Sequence, residues 1–387
     1  MESKDIKDGK DTVQPLTIWH EFDGQGDTSI EVLEQLCRTY TAESGTPVVP
    51  EVMNITVLTA RLQQVKASGH GPQMALVPAD MAGYGEAALY SEIPEKFWAM
   101  SGLSDPEIIR SMRSGGRQYG IPVLQGNHLV LYCNTDIYPE APSAWEAIEE
   151  RAAQLVTDAV LPVAADLADP YCFIPFLTAF GGWPVKDGEP DLSTPEMEAA
   201  LRFVQRQIEQ GVLGNLHGPT ELLDRFIAGE IGAIISGEWI FNYLDLHMRD
   251  KLLVGALPPI HGKAAVSMAS SIGLVFPNQS LETEQADRLL DFAAYLLSER
   301  SQRQWAERVQ RIPVHSRVLP GVKAAASPVR ASLISCLETA RNMPIEPVMR
   351  SVWEAMTAGL RDLTTEDAAE LAALMQEHVK TNVQTTL

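Results

Sequence analysis

"TIWHEFDGQGDTSIEVL", residues 17–33, decides the reading of the fold. Leu16 to Trp19 make a short apolar strand, Gly24 and Gly26 open a turn, and Ile30, Leu33, Cys37 and Tyr40 then recur at helical spacing. Thr28 and Glu31 suit a capping box at the helix start, and Ser44-Gly45 with Pro47 beyond marks its end. Downstream, "PVVPEVM" reads as a second strand that Pro50 confines to an edge or a bulge. A helix follows with Leu58, Leu62 and Val65 on one face and a stop at Gly69, and "GPQMALV" supplies a third strand. This alternation predicts an α/β fold with mainly parallel sheets, helices on both faces, and ligands at the carboxyl ends of the strands.

Further along, "YGIPVLQGNHLVLYCNTDIY" gives two strand-like segments around Gln125 to His128, a natural crossover between two lobes. Later elements are a helix from "STPEMEAALRFVQRQIEQG" capped by Ser193 or Thr194, a second helix over Glu221 to Ala228, and a buried strand in "GEIGAIISGEW". A strand at Ser271 to Phe276 leads into one long amphipathic helix, "ETEQADRLLDFAAYLLSERSQRQWAERV". The C-terminal part reads as helical, with an apolar stripe at Leu371, Leu374 and Met375.

The chain's 387 residues suffice for two lobes, each with its own core. Thirty Lys and Arg against 51 Asp and Glu give a formal charge of -21, which opposes binding to nucleic acid or anionic lipid and permits neutral or cationic ligands. No apolar run reaches the length of a membrane helix, and residues 1–14 read as a flexible, charged leader of the kind that follows a removed secretion or lipoprotein signal. Cys37, Cys133, Cys172 and Cys336 are far apart and read as buried thiols, and the histidines lack the paired spacing of a metal site.

Two readings of the opening turn compete with a plain structural one. Gly24-x-Gly26-x-x-Ser29 is part of a dinucleotide fingerprint, but Ser29 replaces the last glycine, and Asp23 and Asp27 would face the pyrophosphate. The other reading rests on aromatic residues beside carboxylates and amides: Trp19 near Asp23, Asp80 before Tyr84, Asp169-Pro170-Tyr171, Gly237-Glu238-Trp239, and Trp353. A sugar has an apolar C–H face that suits aromatic planes and hydroxyls that suit carboxylates. Each aromatic taken alone also fits a core position.

In their order along the chain, these segments resemble the carbohydrate-binding proteins of ABC importers, extracellular solute-binding family 1, and among them its maltose-binding members. "LTIWHEFDGQG", "GHGPQMALVPADMAGYGEAALYSEI", "LADPYCFIPFLTAFGG", "FIAGEIGAIISGEWIF" and "MPIEPVMRSVWEAM" carry the resemblance, which runs from about Leu16 to Val383. It implies a two-lobed periplasmic-binding-protein fold of type II, with lobe 1 at 15–125 and 271–323 and lobe 2 at 126–270 and 324–387. Hinge closure would trap a di- or oligosaccharide between the lobes, with Asp23, Asp80, Asn127 and Asp169 bonding hydroxyls and Tyr171, Trp239 and Trp353 stacking. Trp19 joins the implied site, while Glu238 is a weaker candidate that suits a solvated turn. The resemblance further implies a monomer that is no enzyme, with no catalytic residues, cofactor or metal, working outside the membrane, with or without a lipid anchor, and delivering to a permease. Val77, Met81 and Gly24 stand where the maltose-binding members carry a stacking Trp, a sugar-binding Arg and a Lys, so the sugar preference should differ. The alternatives are a binder of a polyamine or peptide on the same fold, or a carbohydrate-active enzyme.

Overall fold

The computed structural model describes residues 14–22, 26–99, 101–155 and 160–386. Asp23, Gly24 and the leader through Val13 lie outside the described residues. The sheets are built from β1 (Leu16–His20), β2 (Val48–Val52), β3 (Met74–Pro78), β4 (Gly120–Gly126), β5 (Leu129–Asn134), β6 (Leu161–Ala165), β7 (Leu213–Asn215), β8 (Ile231–Gly237), β9 (Leu252–Gly255), β10 (Met268–Val275), β11 (Ile312–Pro313) and β12 (Arg341–Asn342).

The first sheet has the order β11-β4-β10-β3-β1-β2, with β12 attached to the start of β10. Strands β1, β2 and β3 are parallel, while β10 runs against both β3 and β4. Pro50, which cannot donate to a neighbour, lies on β2 at the sheet's edge as its chemistry requires. The second sheet has the order β7-β6-β8-β5-β9, with β6, β7 and β8 parallel and β5 reversed against β8 and β9.

Both sheets are apolar on both faces because helices cover both. In β3, Met74 and Leu76 enter one core cluster of the first lobe while Ala75 and Val77 enter the other. In β5, Leu129, Leu131 and Cys133 face one cluster of the second lobe and Val130 and Tyr132 the opposite one. Each fully buried large apolar side chain contributes about 1.5–3 kcal/mol, so these two-faced strands anchor their lobes. All four cysteines are buried free thiols.

The chain passes between the sheets at Gly126 to His128, where β4 ends and β5 begins, and again at the start of β10. It leaves the first sheet a third time after β11. Helix Pro328–Cys336 then places Leu333 and Cys336 in a second-lobe cluster, and Ser332 Oγ donates to the carbonyl of Val254 on β9. Helices Met349–Leu360 and Ala368–Thr386 complete that lobe.

Three local expectations are corrected. The capping box at Thr28 does not form: the Ser29 amide donates to Asp27 Oδ1 at 2.8 Å, and Thr28 Oγ1 instead accepts from Asn242 of the other lobe. The long helix before residue 309 is two, Ala286–Leu297 and Glu299–Arg308. Ser298 turns the backbone to an extended ψ of 148° and caps the second helix by accepting from the Ser301 amide. Leu374, placed by spacing on an apolar stripe, is exposed, because only Leu371 and Met375 of that stripe meet the second-lobe core.

Candidate functional site

The crossing strands form the floor of the site. Gly126 has φ of 117°, and a Cβ there would lie 2.8 Å from Glu238 Oε1, so only glycine fits this position. Asn127 follows in the left-handed region at φ 44° and donates through Nδ2 to Ser270 Oγ on β10 at 3.1 Å. Tyr171 ties the crossing together, since its hydroxyl donates to the carbonyls of Asn127 and of Met268, the latter at 3.0 Å. Its hydroxyl is thereby committed to the backbone.

Helix Pro170–Ala179 carries that tyrosine because Asp169 caps it, accepting from the Tyr171 amide at 2.9 Å, with Pro170 in the first turn. Burial raises the Asp169 carboxyl to about 6, only partly offset by the Tyr171 amide, although the residue as a whole is exposed. Trp239 stands in the short helical turn Glu238–Ile240 at the end of β8, and its ring centroid is 6.3 Å from that of Tyr171. Trp353, in helix Met349–Leu360, lies 6.1 Å from Tyr171 on centroids. Three aromatic planes, all partly exposed, therefore meet at one place.

Asp80 closes this group from the first lobe. It sits in the turn Ala79–Ala87 after β3, is only 8% exposed, and accepts from Trp353 Nε1 at 3.0 Å. This bond spans the two lobes. Its other oxygen, Oδ1, is buried without a directed hydrogen bond, and burial pushes the carboxyl up to about 6, although Trp353 and nearby backbone amides favour the charge. An unspent buried acceptor beside aromatic faces suits a ligand that donates hydroxyl hydrogens.

The structure thus brings together Asp80, Asn127, Asp169, Tyr171, Trp239 and Trp353. Trp19 stands apart: its Nε1 donates to Glu51 Oε2 at 2.9 Å, Arg61 lies over its ring, and its packing is against the first-lobe cluster of Leu58 and Met81. Asp23 lies outside the described residues. Val77 and Met81 are both buried in that same cluster.

Glu238 is corrected from a solvated turn to a buried one. It is 3% exposed, and its Oε1 lies 3.2 Å from Nε of Arg311, itself 2% exposed. Arg311 Nη1 reaches Asp27 Oδ2 at 3.2 Å and Ser29 Oγ at 3.1 Å. Around this cluster Asn242 donates to Thr28 Oγ1, and Gln310 donates to Asn242 Oδ1 and Asp245 Oδ2. Sequence reading missed Arg311; its only signal was a lone cation in the apolar stretch "VQRIPVH".

Among the described residues, no group of three His, Cys, Asp or Glu is placed to hold a metal ion, and no helix is long and apolar enough to cross a membrane. The fold is similar to that of the maltose/maltodextrin-binding domain MalE from Bdellovibrio bacteriovorus, solved bound to maltotriose. The TM-score is 0.85 at 19% sequence identity, covering 96% of this chain and 100% of that one, a likeness of fold. The family described as bacterial extracellular solute-binding protein matches residues 35–331. With the match spanning most of its length and the two-lobed architecture in agreement, the chain belongs to the bacterial extracellular solute-binding proteins.

Proposed function

We propose that the protein is the receptor of an ABC importer, capturing a di- or oligosaccharide between its lobes and presenting it to a membrane permease on the outer side of the membrane. The observation that carries this reading is the meeting of three partly exposed aromatic planes, Tyr171, Trp239 and Trp353, with the unspent Oδ1 of Asp80 where the two lobes touch. Sugar rings stack on the former and donate a hydroxyl to the latter. The maltotriose in the similarly folded MalE domain supports a saccharide ligand. The lobes would close because a ligand touching both favours the closed arrangement. The lobe boundaries proposed are 15–125 with 271–323, and 126–270 with 324–387.

A thermal-shift panel of maltose, maltotriose, other di- and oligosaccharides, spermidine, a short peptide and NAD tests this. A saccharide should raise the melting midpoint, since a ligand bound only by the folded protein stabilises it. A shift by spermidine, peptide or NAD with none by any saccharide overturns the proposal. The acid excess makes spermidine the informative competitor.

A further inference from the structure

Two kinds of carboxylate lie between the lobes, those met by a cation and those that are not. Asp27 Oδ2 and Glu238 Oε1 each lie 3.2 Å from the guanidinium of Arg311. Around Asp80 and Asp169, among the described residues, no Lys, Arg or His supplies such a charge, and beside Asp169 a further carboxylate, Asp166, adds negative charge. Arg350, one turn before Trp353 on the same helix, is spent on Glu354 at 3.0 Å. Tyr171 stands among these acids, since Asp80, Asp169 and Glu238 all act on its phenol. Of the three, only Glu238 has its cation.

The fold does not use up these two side chains. Asp169 gives Oδ1 to the cap of its helix, a task that a neutral Asn performs as well. Asp80 gives Oδ2 to the neutral indole of Trp353, while Oδ1, in a residue only 8% exposed, has no directed hydrogen bond. The phenol of Tyr90, which lies within reach of the Asp80 charge, is buried and makes no directed bond either. The aromatic rings follow the same pattern. Arg61 lies over Trp19, and Arg341 lies 3.8 Å from the ring centroid of Trp183, whereas among the described residues no Arg or Lys covers Tyr171, Trp239 or Trp353. Ring faces carry negative potential and attract cations, and here three of them stand partly exposed beside carboxylates that lack a counter-charge.

We propose that the saccharide taken by this site is an amino sugar, its ammonium group paired with Asp80 beside the rings of Tyr171, Trp239 and Trp353, with Asp169 adding a second negative charge. The inference rests on the saccharide-receptor reading above and narrows its substrate class. A hydroxyl can donate to Asp80 Oδ1 but leaves the buried charge uncancelled; an ammonium donates and cancels it, and a bond between charged partners is roughly twice as strong as a neutral one. Burial without a cation raises the Asp80 carboxyl to about 6, and an arriving ammonium supplies what is missing. The formal charge of -21 favours the approach of a cation. A linear polyamine brings the same ammonium chemistry, but it lacks the C–H faces and hydroxyls that three aromatic planes and the remaining acceptors suit.

Calorimetric titration with matched sets of sugars tests it, each set carrying an amine, an acetamide or a hydroxyl on one skeleton. The sets are glucosamine, N-acetylglucosamine and glucose; galactosamine, N-acetylgalactosamine and galactose; and the chitosan disaccharide, N,N′-diacetylchitobiose and cellobiose, with maltose and spermidine alongside. In at least one set the amine should bind about tenfold or more tighter than both neutral members. Asp80→Asn keeps an acceptor for Trp353 and removes the charge, so that preference should fall to about threefold or less. Asp169→Asn keeps the helix cap and should reduce it by a smaller factor; if Asp80→Asn fails to melt cooperatively, this variant carries the test. A neutral saccharide that binds while no amino sugar does, neutral members that equal the amine in every set that binds, or a preference unchanged by the substitutions overturns the proposal and leaves the saccharide receptor standing. Spermidine binding with no saccharide bound overturns both.

Discussion

Two polar clusters join the lobes, and they differ in what they leave unspent. At Asp80 and Trp353 a single hydrogen bond crosses between the lobes, beside a buried carboxylate oxygen without a directed partner and three partly exposed aromatic side chains. At Asp27, Arg311 and Glu238 charges of opposite sign face one another. In the function proposed above, the first arrangement is completed by a ligand. In the second the chain supplies both signs of charge itself, and its cost is electrostatic. The two clusters thus differ in what faces the buried carboxylate, a neutral indole donor at Asp80 and a guanidinium at Glu238.

The largest effect expected is on the cluster around Arg311. Arg311→Met leaves two carboxylates buried without a cation and should cost about 3–5 kcal/mol in chemical denaturation at neutral pH, with partial recovery on acidification. A loss below about 1 kcal/mol would mean that the cluster is not desolvated as described. In the other cluster, Trp353→Phe keeps an aromatic plane but removes the donor to Asp80. It should cost about 1–3 kcal/mol of stability through the stranded carboxylate, and an unchanged denaturation midpoint would contradict the bond's role.

A smaller effect concerns Asp80 and pH. Its carboxyl is raised from 3.8 to about 6 by burial, so the stability it contributes is fully present below about 4 and is lost as pH rises through about 6. Asp80→Asn should therefore flatten the wild-type fall in stability over that window by about 1–2 kcal/mol. Identical pH profiles for the two proteins would show that the carboxylate is solvated.

What the sequence makes legible divides along the same line. The β1 to β3 unit is readable because apolar spacing, Gly45, Gly69 and Pro50 are local signals, and the structure places Gly45 and Gly69 in the left-handed region at the helix ends. The break at Ser298 is not readable, because apolar spacing continues through Leu296, Leu297, Trp305 and Ala306, and the turn shows only in the backbone. Asp80, Asp169, Tyr171, Trp239 and Trp353 stand out in the sequence as aromatics and carboxylates near one another, but composition gives each a plausible core role, and the family resemblance is what assigns them to one site. Glu238 misled for a physical reason. A carboxylate in a Gly-Glu-Trp turn is solvated by default, and its burial depends on Arg311 arriving from the other lobe.

The most direct test of the central claim is a calorimetric titration of the wild type and Trp239→Ala with the saccharide that most raises the melting midpoint. We expect 1:1 binding by the wild type and a loss of about 2–4 kcal/mol of binding free energy in the variant, with a smaller change in folding stability. Equal affinity in the two proteins would contradict the assignment of Trp239, with Tyr171 and Trp353, as the platform on which the ligand rests.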